Sequence, residues 1–159
     1  MKRGLWLIAG GIVYWIGWPV SFVSLYFSRR ARVLIICKNE VLLTKNWMGG
    51  GDWHAPGGGL HRGESPEDGA VRELQEEIGL DVAPDRLKKL YEKRVTTRRK
   101  FVYYGHFFVL ELPKKPKLQP DNLEISEIGW FGLEEISREK IGGGVLKEHL
   151  QAWSHSRRM

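Results

Sequence analysis

The chain has 159 residues, a formal charge of +6 and one cysteine, Cys37. That length suits one domain with a full core plus an appendage, and a single cysteine excludes an internal disulfide and calls for no oxidising compartment. The modest basic excess fits small anionic molecules or an anionic membrane surface, and falls short of what a nucleic-acid partner would require.

From Gly4 to Ser28 there is no charged side chain, and Lys2, Arg3 and then Arg29, Arg30 and Arg32 bracket the run. As a helix it would extend about 37 Å, enough to cross a ~30 Å hydrocarbon layer. Trp6, Trp18 and Tyr26 lie toward its ends, and Pro19 would kink it. We expect a single-pass membrane anchor over residues 1–29, in contact with lipid through residues 4–28. A cleaved signal peptide or a helix packed on the domain are the alternatives.

Residues 32–37 and 41–45 read as two strands joined by a turn at Lys38–Asn39–Glu40, with Cys37 in the core. A glycine-rich loop over 46–51 follows, then Trp53, His54, Ala55 and Pro56 leading to Gly57, Gly58 and Gly59. Glycines there let backbone approach a ligand. Trp53 is a candidate either to stack on a base or to anchor the core. His54 and His61 are expected to be bystanders.

Ser65 (N-cap), Pro66 (first position), Glu67 and Asp68 in the first turn and Gly79 as a stop predict a helix. Ala70, Val71, Leu74 and Ile78 form its apolar arc, and Glu73, Glu76 and Glu77 project within about 100° beside them. Like charges at these spacings repel by a few tenths of a kcal/mol per pair, so helix stability alone would not favour the trio. A hard divalent cation converts the repulsion into binding, and oxygen donors favour Mg²⁺ or Mn²⁺. The alternative is a solvated acidic face with an Arg72–Glu76 pair.

Strands are predicted over 87–96 and 101–112 around a basic turn, Thr97–Lys100. Arg94 and Arg98, with Arg99 and Lys100, are candidate phosphate contacts or a solvated tip. A strand over 125–131, a short helix over 133–136 and a terminal helix over 145–153 complete an α+β layered domain, residues 30–159.

Gly58, Glu64, Arg72, Glu73, Leu74, Glu76, Glu77, Gly79 and Leu80 fill every fixed position of the pattern GX5EX7REUXEEXGU, where U is aliphatic. The chain thereby resembles the Nudix hydrolases, with further similarity at Trp53, Pro56, Gly57, Glu124, Trp130 and Phe131. The resemblance implies an α/β/α sandwich with a mixed sheet, here preceded by one predicted transmembrane helix. It implies hydrolysis of a nucleoside diphosphate linked to another moiety, with a nucleotide as small-molecule substrate and Mg²⁺ or Mn²⁺ as cofactor. Glu73, Glu76, Glu77 and the Gly57 carbonyl would be metal ligands. Arg72 would orient a catalytic glutamate, and Glu64 would hold the loop against Arg72 or touch a metal-bound water. An additional glutamate, as base or ligand, would be Glu124 or Glu127. Residues 94–98 carry no marker for a particular substrate, so a nucleoside triphosphate or nucleotide sugar is expected. A catalytically silent nucleotide-sensing or partner-binding module at the membrane is the alternative. Phosphate substrates and the absence of disulfides place the expected catalytic domain on the cytoplasmic side.

Overall fold

The computed structural model describes residues 29–47, 52–96, 102–139 and 141–158. The predicted anchor over 4–28 and the cations Arg98, Arg99 and Lys100 lie outside these residues. Among the described residues, no helix is long and apolar enough to cross a membrane.

Five strands form one mixed sheet: β1 (Arg29–Cys37), β2 (Glu40–Asn46), β3 (Lys88–Thr96), β4 (Val102–Leu112) and β5 (Ile125–Gly132), in the order β3-β4-β1-β2-β5. Only β1 and β4 run parallel; the other neighbours are antiparallel. β1 and β2 make a tight hairpin with Lys38 at φ 57°. β1 is central, which explains its run Val33–Cys37: a strand covered on both faces reads as continuously apolar rather than alternating. Cys37 is buried at its end.

Helix α1 (Pro66–Ile78) covers one face, packing Ala70, Leu74 and Ile78 on Ala31, Val33, Ile35, Leu42, Phe108 and Leu110. Helices α2 (Leu133–Glu139) and α3 (Gly144–Ser156) cover the other, where Ile136, Leu146 and Trp153 meet Leu34, Ile36, Val41, Leu43 and Val109. Burial of each such side chain contributes about 1.5–3 kcal/mol. The layers are therefore helix, sheet, helix. A short 3₁₀ turn, Pro84–Arg86, links α1 to β3 and is an element the sequence reading omits.

One departure from a regular sheet creates the site. The C-terminal half of β1 pairs with β2, from Ile35 opposite Leu42 to Cys37 opposite Glu40. Its N-terminal half pairs instead with the glycine loop: Ala31 N–H donates to the Gly58 carbonyl at 3.0 Å, Val33 N–H to Pro56 at 2.9 Å, and Leu60 N–H to Arg29 at 2.8 Å. Backbone donors that β2 leaves open are thus satisfied by the loop, and the loop is held flat beneath α1.

Candidate active site

Local chemistry sets α1 in place before any ligand is considered. The Ser65 hydroxyl accepts from Asp68 N–H at 3.1 Å, Pro66 occupies the first turn, and Gly79 takes the left-handed conformation at φ 66°. The last-turn carbonyls find partners in the loop before β5: Gln119 N–H donates to Ile78 and Asp121 N–H to Glu77, both at 2.9 Å. Those two bonds bring Glu124 alongside the helix.

Arg72 is the hub. Its guanidinium binds both Glu64 oxygens, at 2.9 and 3.1 Å, and donates to Glu73 Oε1 at 2.9 Å, Glu76 Oε2 at 2.7 Å and the Gly59 carbonyl at 2.8 Å. Glu64 also accepts from His61 N–H at 2.8 Å. The Arg72 bonds, the largest influence, hold the Glu64 carboxyl down to about 2, and the same bonds raise the Arg72 pKa. Glu64 therefore staples loop to helix.

The three helix glutamates differ sharply. Glu77 is 1% exposed and accepts from Gly57 N–H at 2.7 Å. Burial pushes its carboxyl up to about 7; Arg32 and the Gly57 N–H oppose the rise, while Glu73 and Glu124 add to it. The Glu73 side chain is also largely buried, and desolvation raises its pKa against the Arg72 bond. Glu73 Oε2 lies over Gly58 so closely that a Cβ there would come within 2.3 Å of it. Glu76 is solvated and turned to Arg72, so the sequence-predicted Arg72–Glu76 pair is present.

The two outside candidates have different partners. Glu124 accepts from Asn46 Nδ2 at 3.4 Å and adds charge repulsion to both Glu73 and Glu77. Glu127 is exposed on β5 and pairs with Lys45 Nζ at 2.9 Å, and that ammonium sits 4.5 Å from the Trp53 ring. Trp53 packs edge-on against Phe131 with centroids 4.6 Å apart, in the core under α2 and α3. Trp53 is thus a core anchor, and neither it nor Glu127 joins the carboxylate group. Arg94 is exposed on the edge strand β3 opposite Tyr104.

Two residues absent from the sequence expectations do join it. Arg30 and Arg32 share one face of β1. Arg32 donates to the Ala55 carbonyl at 3.0 Å and contacts His54 Nδ1 at 3.2 Å. Burial, with Arg32 beside it, lowers the His54 pKa to about 3, so the imidazole is a neutral support. Arg30 is half-buried; burial first and then Arg32 lower its pKa, against the charges of Glu73 and Glu124. Among the described residues its guanidinium donates no hydrogen bond, and the Tyr103 ring lies 5.6 Å from it. Cationic residues inside a strand otherwise apolar were the available signal.

Among the described residues, no three acidic, histidine or cysteine side chains converge tightly enough to enclose an ion. Arg72 and the Gly57 N–H occupy one oxygen each of Glu73, Glu76 and Glu77. The donor set nevertheless suits a hard cation. Glu73 and Glu77 repel each other where solvent is scarce, the exposed Glu124 adds to that repulsion, and no hydrogen bond among the described residues ends on the Gly57 carbonyl.

Comparison with known proteins agrees with this geometry. The profile of the NUDIX domain matches residues 27–151. The chain is 36% identical over 112 residues to an RNA pyrophosphohydrolase of Psychromonas ingrahamii, an alignment covering 67% of this chain and 54% of that protein. An 8-oxo-dGTP diphosphatase of Proteus vulgaris is 61% identical over 33 residues, 21% of this chain and 30% of that protein. The chain thus spans about half, or less, of the length of these relatives. A MutT protein of Methanosarcina mazei Go1 shares the fold with a TM-score of 0.69 at 18% identity, covering 84% of this chain and 96% of the other.

Proposed function

The chain belongs to the NUDIX family, and from that premise we propose that it hydrolyses a phosphoanhydride bond in a nucleoside diphosphate linked to another moiety. A nucleoside triphosphate or nucleotide sugar fits the description. The observation that carries this reading is the gathering of Glu73, Glu77 and Glu124 at a glycine loop, with Arg30 beside Glu73 and Glu124 and Arg32 beside Glu77.

Glu73, Glu76, Glu77, Glu124 and the Gly57 carbonyl are the groups that would hold Mg²⁺ or Mn²⁺. Such a cation would neutralise phosphate charge and lower the pKa of a bound water. The remaining work belongs to the chain. Glu73, fixed at one oxygen by Arg72, offers Oε2 to take the proton of the attacking water. Arg72 and Glu64 hold that carboxylate and the loop in one geometry, so little reorganisation is required at the moment of attack. Arg30, without a hydrogen-bond acceptor among the described residues, binds a substrate phosphate oxygen, with Arg32 reinforcing the positive potential.

The test is turnover on a panel of nucleoside triphosphates, nucleotide sugars and a 5′-triphosphorylated RNA, with Mg²⁺, Mn²⁺ or EDTA. The RNA tests for the activity named in the Psychromonas relative. We expect release of a nucleoside monophosphate from at least one nucleotide, abolished by EDTA. Tight nucleotide binding without turnover of any compound would favour the silent sensing module instead. Attachment to a membrane belongs to the same proposal and rests on the uncharged run from Gly4 to Ser28. Retention of the full chain in membranes after a carbonate wash is the expected result.

A further inference from the structure

The rim of the carboxylate cluster carries an exposed apolar pair that the hydrolytic groups do not use. Trp47 is 68% exposed and Leu123 is 90% exposed. Neither is loosely placed. Trp47 N–H donates to the Glu124 carbonyl and its indole Nε1–H to the Asn122 carbonyl, each at 3.2 Å. Leu123 lies between these two acceptors, and its N–H donates to Asp121 Oδ1 at 2.9 Å. The polar edge of the indole is therefore satisfied and its orientation held, while its flat surface is left to solvent. The same strand end supplies Asn46 to the Glu124 carboxylate, so this surface is tied through two neighbouring residues to the cluster.

We propose that Trp47, backed by Leu123, is the platform on which the base of the nucleotide stacks while its phosphates lie at the carboxylates. This rests on the hydrolase reading above and deepens it, assigning the base-recognition element. A flat aromatic at the rim favours a substrate with an aromatic heterocycle over a bare sugar or inorganic polyphosphate. Every base has a π face, so stacking on Trp47 selects for a nucleobase as a class and discriminates weakly among bases. The stacking role, one of the two alternatives for Trp53 from sequence, thus falls to the tryptophan six residues earlier.

Wild type, W47A and W47F are compared with the best nucleotide substrate and by calorimetry with Mg²⁺ and inorganic pyrophosphate, a probe that has no base. Stacking contributions measured by truncation predict that W47A raises KM by about 5- to 150-fold, with the loss falling mainly on KM rather than kcat, and that W47F recovers much of it. Pyrophosphate affinity should be the same in all three. A nucleotide-dependent quench of indole emission should be present in the wild type and lost in W47F. An unchanged KM in W47A overturns the proposal, because the pair would then serve something other than the base. A parallel loss of pyrophosphate affinity also overturns it, because Trp47 would then act through Glu124. Failure of the hydrolase reading is distinct: the wild type would turn over no nucleotide, and a quench lost in W47F would still support the platform.

Discussion

Glu77→Gln should move stability and activity in opposite directions. Glu77 is almost wholly buried, and in the metal-free protein its carboxyl is pushed up from 4.5 to about 7, chiefly by that burial. The folded chain then holds a proton that the unfolded chain has released. The stability linked to this group is fully present below about pH 4.5 and is lost as pH rises through about 7. At 1.36 kcal/mol per pKa unit, the loss approaches roughly 3 kcal/mol by pH 8. Glutamine keeps the shape and can still accept from Gly57 N–H, but has no charge to bury. Urea unfolding in EDTA at pH 5 and pH 8 measures the effect. The wild type should lose up to about 3 kcal/mol more than the variant between the two pH values, and the variant should be the more stable at pH 8. Mg²⁺ at 100 times its Kd should return about 2.7 kcal/mol to the wild type and little to the variant. Turnover of the variant should fall by on the order of 10²-fold or more. A variant less stable than wild type at pH 8 in EDTA would refute the idea that a metal site is held together against its own charge.

Gly57 and Gly58, adjacent in sequence, should respond differently to alanine. Gly57 has φ 126° and a Cβ there would lie 2.3 Å from the Ala31 carbonyl oxygen, so Gly57→Ala should cost more than about 2 kcal/mol in urea unfolding. The atoms nearest a Cβ on Gly58 all belong to the Glu73 carboxylate rather than to backbone, so Gly58→Ala should displace that carboxylate and lower kcat, at a smaller cost in unfolding than Gly57→Ala. Arg30→Ala should raise KM about tenfold or more, and Arg30→Lys should rescue it only in part, because the fork geometry is lost. His149 on α3 is buried beside Phe107 and Tyr91, neither ring nitrogen has a hydrogen-bond partner among the described residues, and desolvation, then Arg32 and Lys93, lower its pKa to about 3. Its stability contribution is present above pH 6.5 and is lost as pH falls toward 3. Phenylalanine at this position should flatten the acid limb of a pH–stability curve.

What the sequence alone determined is mostly local. Ser65, Pro66 and Gly79 bound α1 because capping and left-handed geometry depend on a few neighbouring residues. The strands β1 to β5 are legible from apolar runs and turn residues, and the spacing of Glu64, Arg72, Glu73, Glu76 and Glu77 points to phosphate chemistry. Periodicity also places the three helix glutamates in one arc. It cannot say that Glu77 is buried beneath the Gly57 N–H while Glu76 is left in solvent, because that depends on where a loop twenty residues away is pinned to β1. The same holds beyond the helix. Glu124 and Glu127 are three residues apart, yet backbone bonds from residues 119 and 121 to the end of α1 carry one to the site, and β5 pairing sends the other to Lys45. The choice between the two readings of Trp53 is decided for a like reason, and so is the exposure of Trp47, to which the sequence reading gave no role. Core packing against Phe131 claims Trp53, whereas backbone and indole bonds to residues 122 and 124 hold Trp47 at the rim. Arg30 acquires its place only when the glycine loop closes over β1. Within an element, side-chain direction follows from helix or strand period; across elements it follows from register and loop closure, and these are settled by contacts between residues far apart in the chain.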